Sequence, residues 1–192
     1  MNAKQLFLYA LETASEVISR VEPDTMELPT PDSEWSVHDL LQHIVYELAW
    51  TSDIVAGKTI QAVGDTYENE LRGTDPVESW KHYEPLARRT VVTCDEKATA
   101  HLSYTDVTVE GYLLEASNDQ LIHAWDLGQS IGVPVVFDDS AVTILLKLAE
   151  SRAHELAGSG LFAPPLSVPE SADAQTKLLA ILGRSAGWKG HS

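Results

Sequence analysis

An all-α helical bundle is the fold class predicted by this 192-residue sequence. Three observations lead there. Apolar residues recur at helical spacing in four or five long stretches. Two of those stretches open with strong start signals. Segments carrying proline or glycine separate them. At this length folding buries roughly 70% of the unfolded surface, so a full core needs no disulfide or other staple. There is no internal repeat, low-complexity tract or compositional break. The expectation is one domain over residues 1–192. Its bundle core covers about 3–158, and a C-terminal extension of about 159–188 ends in a short helix.

The first helix is expected from about Ala3 to Val21. Leu6, Ala10, Leu11, Ala14, Val17, Ile18 and Val21 form its stripe, with Glu12, Glu16 and Arg20 opposite. Three prolines make the stretch from Glu22 to Glu34 a loop. The second helix has the clearest start. Ser36 is the N-cap and Asp39 stands three residues on, an aspartate form of the capping box. Trp35 and Leu40 take the staple positions. The stripe is Leu40, Leu41, Ile44, Val45 and Leu48, and Gly57 marks the end.

Residues 58–73 read as polar and irregular. The third helix opens with Asp75 as N-cap, Pro76 at the first helical position and Glu78 in the first turn, and continues to about Thr93. Ala98 to Val107 includes an alternating run that suits a short extended piece. The fourth helix runs from about Thr108 to Ile131 and stops at Gly132, with Pro134 beyond. A fifth covers about Asp139 to Leu156, ended by Gly158 and Gly160. After a proline-rich connection from Phe162 to Pro169, a last helix spans about Ala172 to Leu182, with Gly183 as its C-cap.

The 13 Lys and Arg stand against 29 Asp and Glu, a formal net charge of −16. That excess argues against nucleic acid, whose phosphates need clustered cations. It also argues against anionic membrane surfaces. No apolar run approaches the ~20 residues of a membrane-spanning helix, and the N-terminus lacks the pattern of a secretory signal. The expected setting is cytoplasmic. The single cysteine, Cys94, excludes an intrachain disulfide and any multi-cysteine zinc cluster, and reads as a small buried apolar residue.

Chemistry concentrates on the second and fourth helices. Asp119 and His123 are four residues apart, so their side chains share a face with Cβ atoms ~5–6 Å apart. Two such groups grip a metal but do not close a site, and His43 beside the Leu40/Ile44 stripe is the best third ligand. Two imidazoles and a carboxylate make a donor set that leaves a position open for chemistry. By spacing alone the Asp119/His123 pair reads equally as a surface ion pair. Glu47, one turn after His43, reads as a fourth ligand, an orienter of His43, a general base, or a solvated glutamate. Asp126 either orients His123 or caps the bundle edge, and Trp125 reads as a core or pocket-wall aromatic. His38 points elsewhere. His82, His101, His154 and His191 have no partner at useful spacing, and His191 falls in a tail expected to be disordered. No nucleophile elbow, phosphate-binding loop, His-Glu-x-x-His or dinucleotide fingerprint is present.

Three stretches resemble a known family. Thr30 to His43 (TPDSEWSVHDLLQH) is similar to the second-helix pattern of the DinB-like metal-binding bundles, in the branch of the mycothiol-dependent maleylpyruvate isomerases. His123 to Gly128 (HAWDLG), with Gly132, resembles the fourth-helix pattern of that branch. Pro169 through Leu178–Arg184 (LLAILGR) to Trp188 resembles the ending of its metal-binding relatives. The resemblance runs from the first helix to Trp188. It implies a DinB-like four-helix bundle with a divalent metal on His43, Asp119 and His123. The isomerases carry glutamate where this chain has Asp119. Relatives often have cysteine at the place of Asp32 and arginine at that of His38.

The expected function is a metal-dependent transferase or isomerase using a low-molecular-weight thiol such as mycothiol, acting on an electrophilic small molecule. Zinc and nickel lead the metal candidates, with iron and manganese also compatible. Two alternatives stay open. One is a metal-dependent hydrolase that uses bound hydroxide with Glu47 as base. The other is a non-catalytic, metal-stabilised binding or stress-response module. Bundles of this size often pair, so a homodimer is included among the expectations.

Overall fold

The computed structural model describes residues 1–32, 34–159 and 163–190, with the backbone alone over 152–159. Eight helices and one small hairpin follow each other along these residues. They are α1 (Ala3–Ile18), α2 (Val37–Val55), α3 (Ile60–Val63), α4 (Thr66–Leu71), α5 (Pro76–Thr93), β1 (Thr99–His101), β2 (Asp106–Thr108), α6 (Val109–Ile131), α7 (Asp139–Ser159) and α8 (Ala174–Ile181). A four-helix bundle forms from α1, α2, α5 and α6. In it α1 lies along α6, α2 lies along α5, and α2 and α6 meet across the middle.

The expected stripes face inward. Leu6, Phe7, Leu11, Leu40, Leu41, Ile44, Leu48, Leu113 and Leu121 are fully buried in one apolar cluster. Fully burying a side chain of this size stabilises by roughly 1.5–3 kcal/mol relative to exposure, so these contacts set the bundle geometry. Polar links tie the helices as well. The Trp80 indole donates to Ser15 Oγ at 3.0 Å between α5 and α1. The Tyr112 hydroxyl donates to Thr51 Oγ1 at 3.1 Å between α6 and α2.

The expected capping box is present on α2. Asp39 N donates to Ser36 Oγ at 3.2 Å, and Ser36 N donates to Asp39 Oδ2 at 3.0 Å. The Ser36 hydroxyl also donates to Asp39 Oδ2 at 2.6 Å, and this bond, together with the one from Ser36 N, lowers the Asp39 pKa. Asp75, Thr108 and Asp173 cap α5, α6 and α8, each with a side-chain oxygen that accepts from a backbone N–H of the first turn. Gly132 ends α6 at φ 72°, a left-handed conformation that suits glycine.

The structure departs from the sequence reading in five places, one of them at Gly158, which lies inside α7 instead of ending it. Residues 58–73 contain α3 and α4. Helices of four and six residues are too short to display a period, although Thr59 caps α3. The segment after α5 is a two-stranded antiparallel hairpin pairing Thr99 with Thr108 and His101 with Asp106. The first helix ends at Ile18, and Pro23–Thr25 forms a 3₁₀ turn in the following loop. Cys94 is half-buried as the C-cap of α5 instead of fully buried, and its carbonyl accepts from Lys4 Nζ at 2.6 Å.

The extension packs α8 against α7. Gln175 on α8 holds the α6–α7 connection from both sides: its Nε2 donates to the Val135 carbonyl and its Oε1 accepts from Phe137 N, each at 2.9 Å. Gly183 follows at φ 75°, and a Cβ there would stand 2.7 Å from Ala163. Gly160, Phe162 and His191, singled out in the sequence, lie outside the described residues, as does the His154 side chain.

Ser36→Ala removes the N-cap of the helix that carries His43. Urea unfolding should show a loss of about 1 kcal/mol with the m-value unchanged. A midpoint identical to wild type would deny the cap its role.

Candidate metal centre

Packing of α2 against α6 brings His43, Asp119 and His123 together. A buried hydrogen bond sets the register: Gln120 Nε2 donates to the Ile44 carbonyl at 3.1 Å, so the neighbours Asp119 and His43 face each other. Asp119 Oδ1 lies 3.6 Å from His43 Nε2 and 3.4 Å from His123 Nε2. One donor atom from each of the three residues falls within a span of 4.8 Å. Two ligands about 2.1 Å from a tetrahedral ion stand about 3.4 Å apart. The spacing therefore suits a divalent metal, and the aspartate arm, one carbon shorter than glutamate, still reaches both imidazoles. Asp119 Oδ2 is buried without a hydrogen-bond partner. Such an orphaned carboxylate oxygen is costly to leave unpaired and fits an ion-binding role.

Charges interact strongly here. Burial alone would raise the Asp119 pKa, but the charges and hydrogen bonds of His123 and His43 outweigh it and hold the carboxyl well below its usual range. Burial alone would lower His123, yet Asp119 on one side and Asp126 on the other push it up to about 9. His123 Nδ1 is 3.2 Å from Asp126 Oδ2. Asp126 is fully buried, so of its two sequence readings the orienter of His123 is the one realised.

Glu47 is exposed at the rim, outside the three-residue set, and makes no hydrogen bond to His43 among the described residues. Protein crowded around its carboxyl raises its pKa, Asp119 adds to the rise, and the two histidines oppose it. Because water reaches this rim position, the effect is smaller than at a closed site. Trp125 is a core aromatic.

Other candidates lie apart. His38 is beside Asp39 at 4.0 Å. His82 meets the Tyr83 ring edge-on. His101, for which the sequence offered no partner, pairs with Asp106 across the hairpin at 2.8 Å. Burial pushes the Cys94 thiol up, the opposite of an activated nucleophile.

Three parts of the site escaped sequence reasoning. Trp35, read as a staple, holds its ring 4.7 Å from the His43 ring and 5.8 Å from that of His123. Arg184, buried in the extension, donates from Nη2 to Asp126 Oδ2 at 3.0 Å and to Asp32 Oδ2 at 3.1 Å. A cleft of about 470 Å³ opens beside His43, walled by Trp35, Tyr46, Tyr67, Leu71 and Arg72. The signals for Arg184 were its place directly after a glycine C-cap and its place in the LLAILGR stretch that resembles the family ending.

No protein-family model and no curated protein matches the chain. Among solved structures it is similar to a histidine-to-alanine mutant of the mycothiol-dependent maleylpyruvate isomerase. The TM-score is 0.67 at 17% identity, over 88% of this chain and 77% of that one. The chain has the DinB-like fold. The expected bundle with a C-terminal extension is thus the observed one. At this identity the likeness concerns the fold, and the donor cluster rests on the geometry above.

Because the folded His123 value of about 9 exceeds the ordinary 6.5, its contribution to stability is complete below about pH 6.5 and disappears as the pH rises through about 9. Melting temperatures of chelator-treated protein should therefore fall more steeply between those limits for wild type than for His123→Gln. Metal must displace the same proton, so metal affinity should weaken about tenfold per pH unit below 9. Parallel melting curves would count against the carboxylate–histidine–carboxylate arrangement.

Proposed function

We propose that His43, Asp119 and His123 hold a divalent metal, zinc or nickel first, and that the protein is a transferase or isomerase working with a low-molecular-weight thiol. One observation carries the reading: three donor atoms, including a carboxylate with an orphaned buried oxygen, converge beside an open cleft. Two histidines and one carboxylate form a donor set of catalytic rather than structural metal sites. Bound there, the ion supplies Lewis acidity that makes a thiol acidic at neutral pH.

The chain's own residues carry the rest. The cleft is within the roughly 300–1,000 Å³ usual for small-molecule sites, and it receives the thiol or the electrophile next to His43. The Trp35 ring shields the two imidazoles from bulk water. Glu47 at the rim accepts the thiol proton on its carboxylate, and its raised pKa makes it a better base. No cysteine lines the cleft, so the sulfur nucleophile comes from a small molecule. Mycothiol is the thiol used by the isomerase that shares the fold, and a reducing cytoplasm is the setting where such thiols are abundant.

Metal analysis of purified wild type and His123→Ala is the first test. Wild type should carry close to one equivalent and the variant nearly none; equal, near-zero contents would sink the site. Calorimetric titration with small thiols then separates the chemistries. Saturable binding that vanishes with chelator supports the thiol reading, whereas metal uptake without thiol binding, together with metal-dependent ester hydrolysis lost in Glu47→Gln, favours a hydrolase. Metal that raises the melting temperature without either activity leaves a binding module.

A further inference from the structure

Arg184 is the one buried arginine or lysine among the described residues, with 5% of its surface exposed. It comes from the extension, 58 residues beyond its main partner Asp126. Its Nε donates to Asp126 Oδ2 at 3.3 Å, its Nη2 to the same oxygen at 3.0 Å, and its Nη1 to the Leu182 carbonyl at 3.0 Å. The planar guanidinium thus holds a fully buried carboxylate through two nitrogens, which the point charge of a lysine does not reproduce.

Two arms leave this guanidinium, and both end on the imidazoles. In the first, Asp126 Oδ2 faces His123 Nδ1 at 3.2 Å. At that position the carboxylate oxygen accepts a hydrogen bond from the imidazole N–H at Nδ1 and leaves Nε2 directed at Asp119. In the second, Nη2 donates to Asp32 Oδ2 at 3.1 Å. The Asp32 carbonyl accepts from Trp35 N at 3.0 Å and from Thr30 Oγ1 at 2.8 Å. Thr30 Oγ1 also lies 3.0 Å from the Trp35 carbonyl. That turn places the Trp35 ring over His43 and His123. Gly183, whose φ of 75° and closeness to Ala163 leave no room for a side chain, delivers the arginine to this point.

We infer that Arg184 is a positioning residue of the metal centre: through Asp126 it fixes the tautomer and ring orientation of His123, and through Asp32 it fixes the Trp35 wall, so the C-terminal extension sets the affinity and geometry of the site. This rests on the reading that His43, Asp119 and His123 bind a metal.

The test uses the full chain, zinc and cobalt(II). Zinc affinity is measured by competition with a chromophoric chelator, and cobalt(II) reports ligand geometry through its visible absorption. Arg184→Lys keeps the charge and loses the fork. It should bind zinc about ten- to hundredfold more weakly and shift the cobalt bands, with its cooperative melting retained. Should Arg184→Lys fail to fold, the double variant Asp126→Asn with Arg184→Met, which removes both buried charges, takes its place with the same expected losses. Wild-type zinc affinity and an unchanged cobalt spectrum in the folded variant would overturn the proposal and leave Arg184 a structural ion pair. Wild-type protein that takes up neither metal overturns the metal reading itself, and this proposal with it.

Discussion

The hydrogen bond from Gln120 Nε2 to the Ile44 carbonyl is the constraint on which the site depends. Helix carbonyls are normally spoken for within their own helix, so a side-chain donor from a neighbouring helix selects one axial position. Net stabilisation from such a bond is about 1 kcal/mol, but a buried amide donor left unpaired costs ~1–3 kcal/mol. Sliding α2 by one residue along α6 would break it and turn His43 by about 100° around its helix axis. The apolar stripes around Leu41, Ile44, Leu48 and Leu121 supply the attraction between helices. Gln120 chooses the register within it, and with that choice His43 meets the carboxylate of Asp119.

Local features of the chain were legible in the sequence. Ser36 and Asp39 announced α2, Asp75 and Pro76 announced α5, and Gly132 announced the end of α6, because caps depend on a few adjacent residues. Asp119 and His123 were legible as a pair because one helical turn separates them. The helices α3 and α4 were not legible, since periodicity needs more residues than they have. The partnership of Arg184 with Asp126 was invisible for a different reason. It joins residues far apart in the chain through an extension whose docking depends on Gln175 and Gly183, and no spacing rule links them. Trp35 was visible in the right place with an incomplete meaning: the residue that enters α2 also walls the two histidines.

Charge balance bears on the three aspartates, Asp32, Asp119 and Asp126, that cluster near His123. Asp32, Asp119 and Asp126 meet Arg184 and, when protonated, His123. The negative groups then outnumber the positive by one. Burial of an uncompensated carboxylate is expensive, and the orphaned Asp119 Oδ2 marks where the imbalance falls. Replacing the His123 proton with a divalent ion adds one net positive charge to the cluster. The cluster becomes neutral.

That balance also assigns different work to the two carboxylates beside His123. Asp126 is fully enclosed and paired with Arg184, so its charge is already compensated and it acts on the imidazole through orientation. Asp119 keeps 31% of its side chain exposed, and among the described residues its ion pairs are with the two imidazoles. It is the group with charge to spare. A glutamate in its place would extend the carboxylate by one carbon. The shorter arm therefore keeps the donor set closer to the α6 backbone. Trp35, Tyr46, Tyr67 and Arg72 wall the cleft beside His43. The reaction of a fold relative with the longer arm does not transfer to this protein by fold alone.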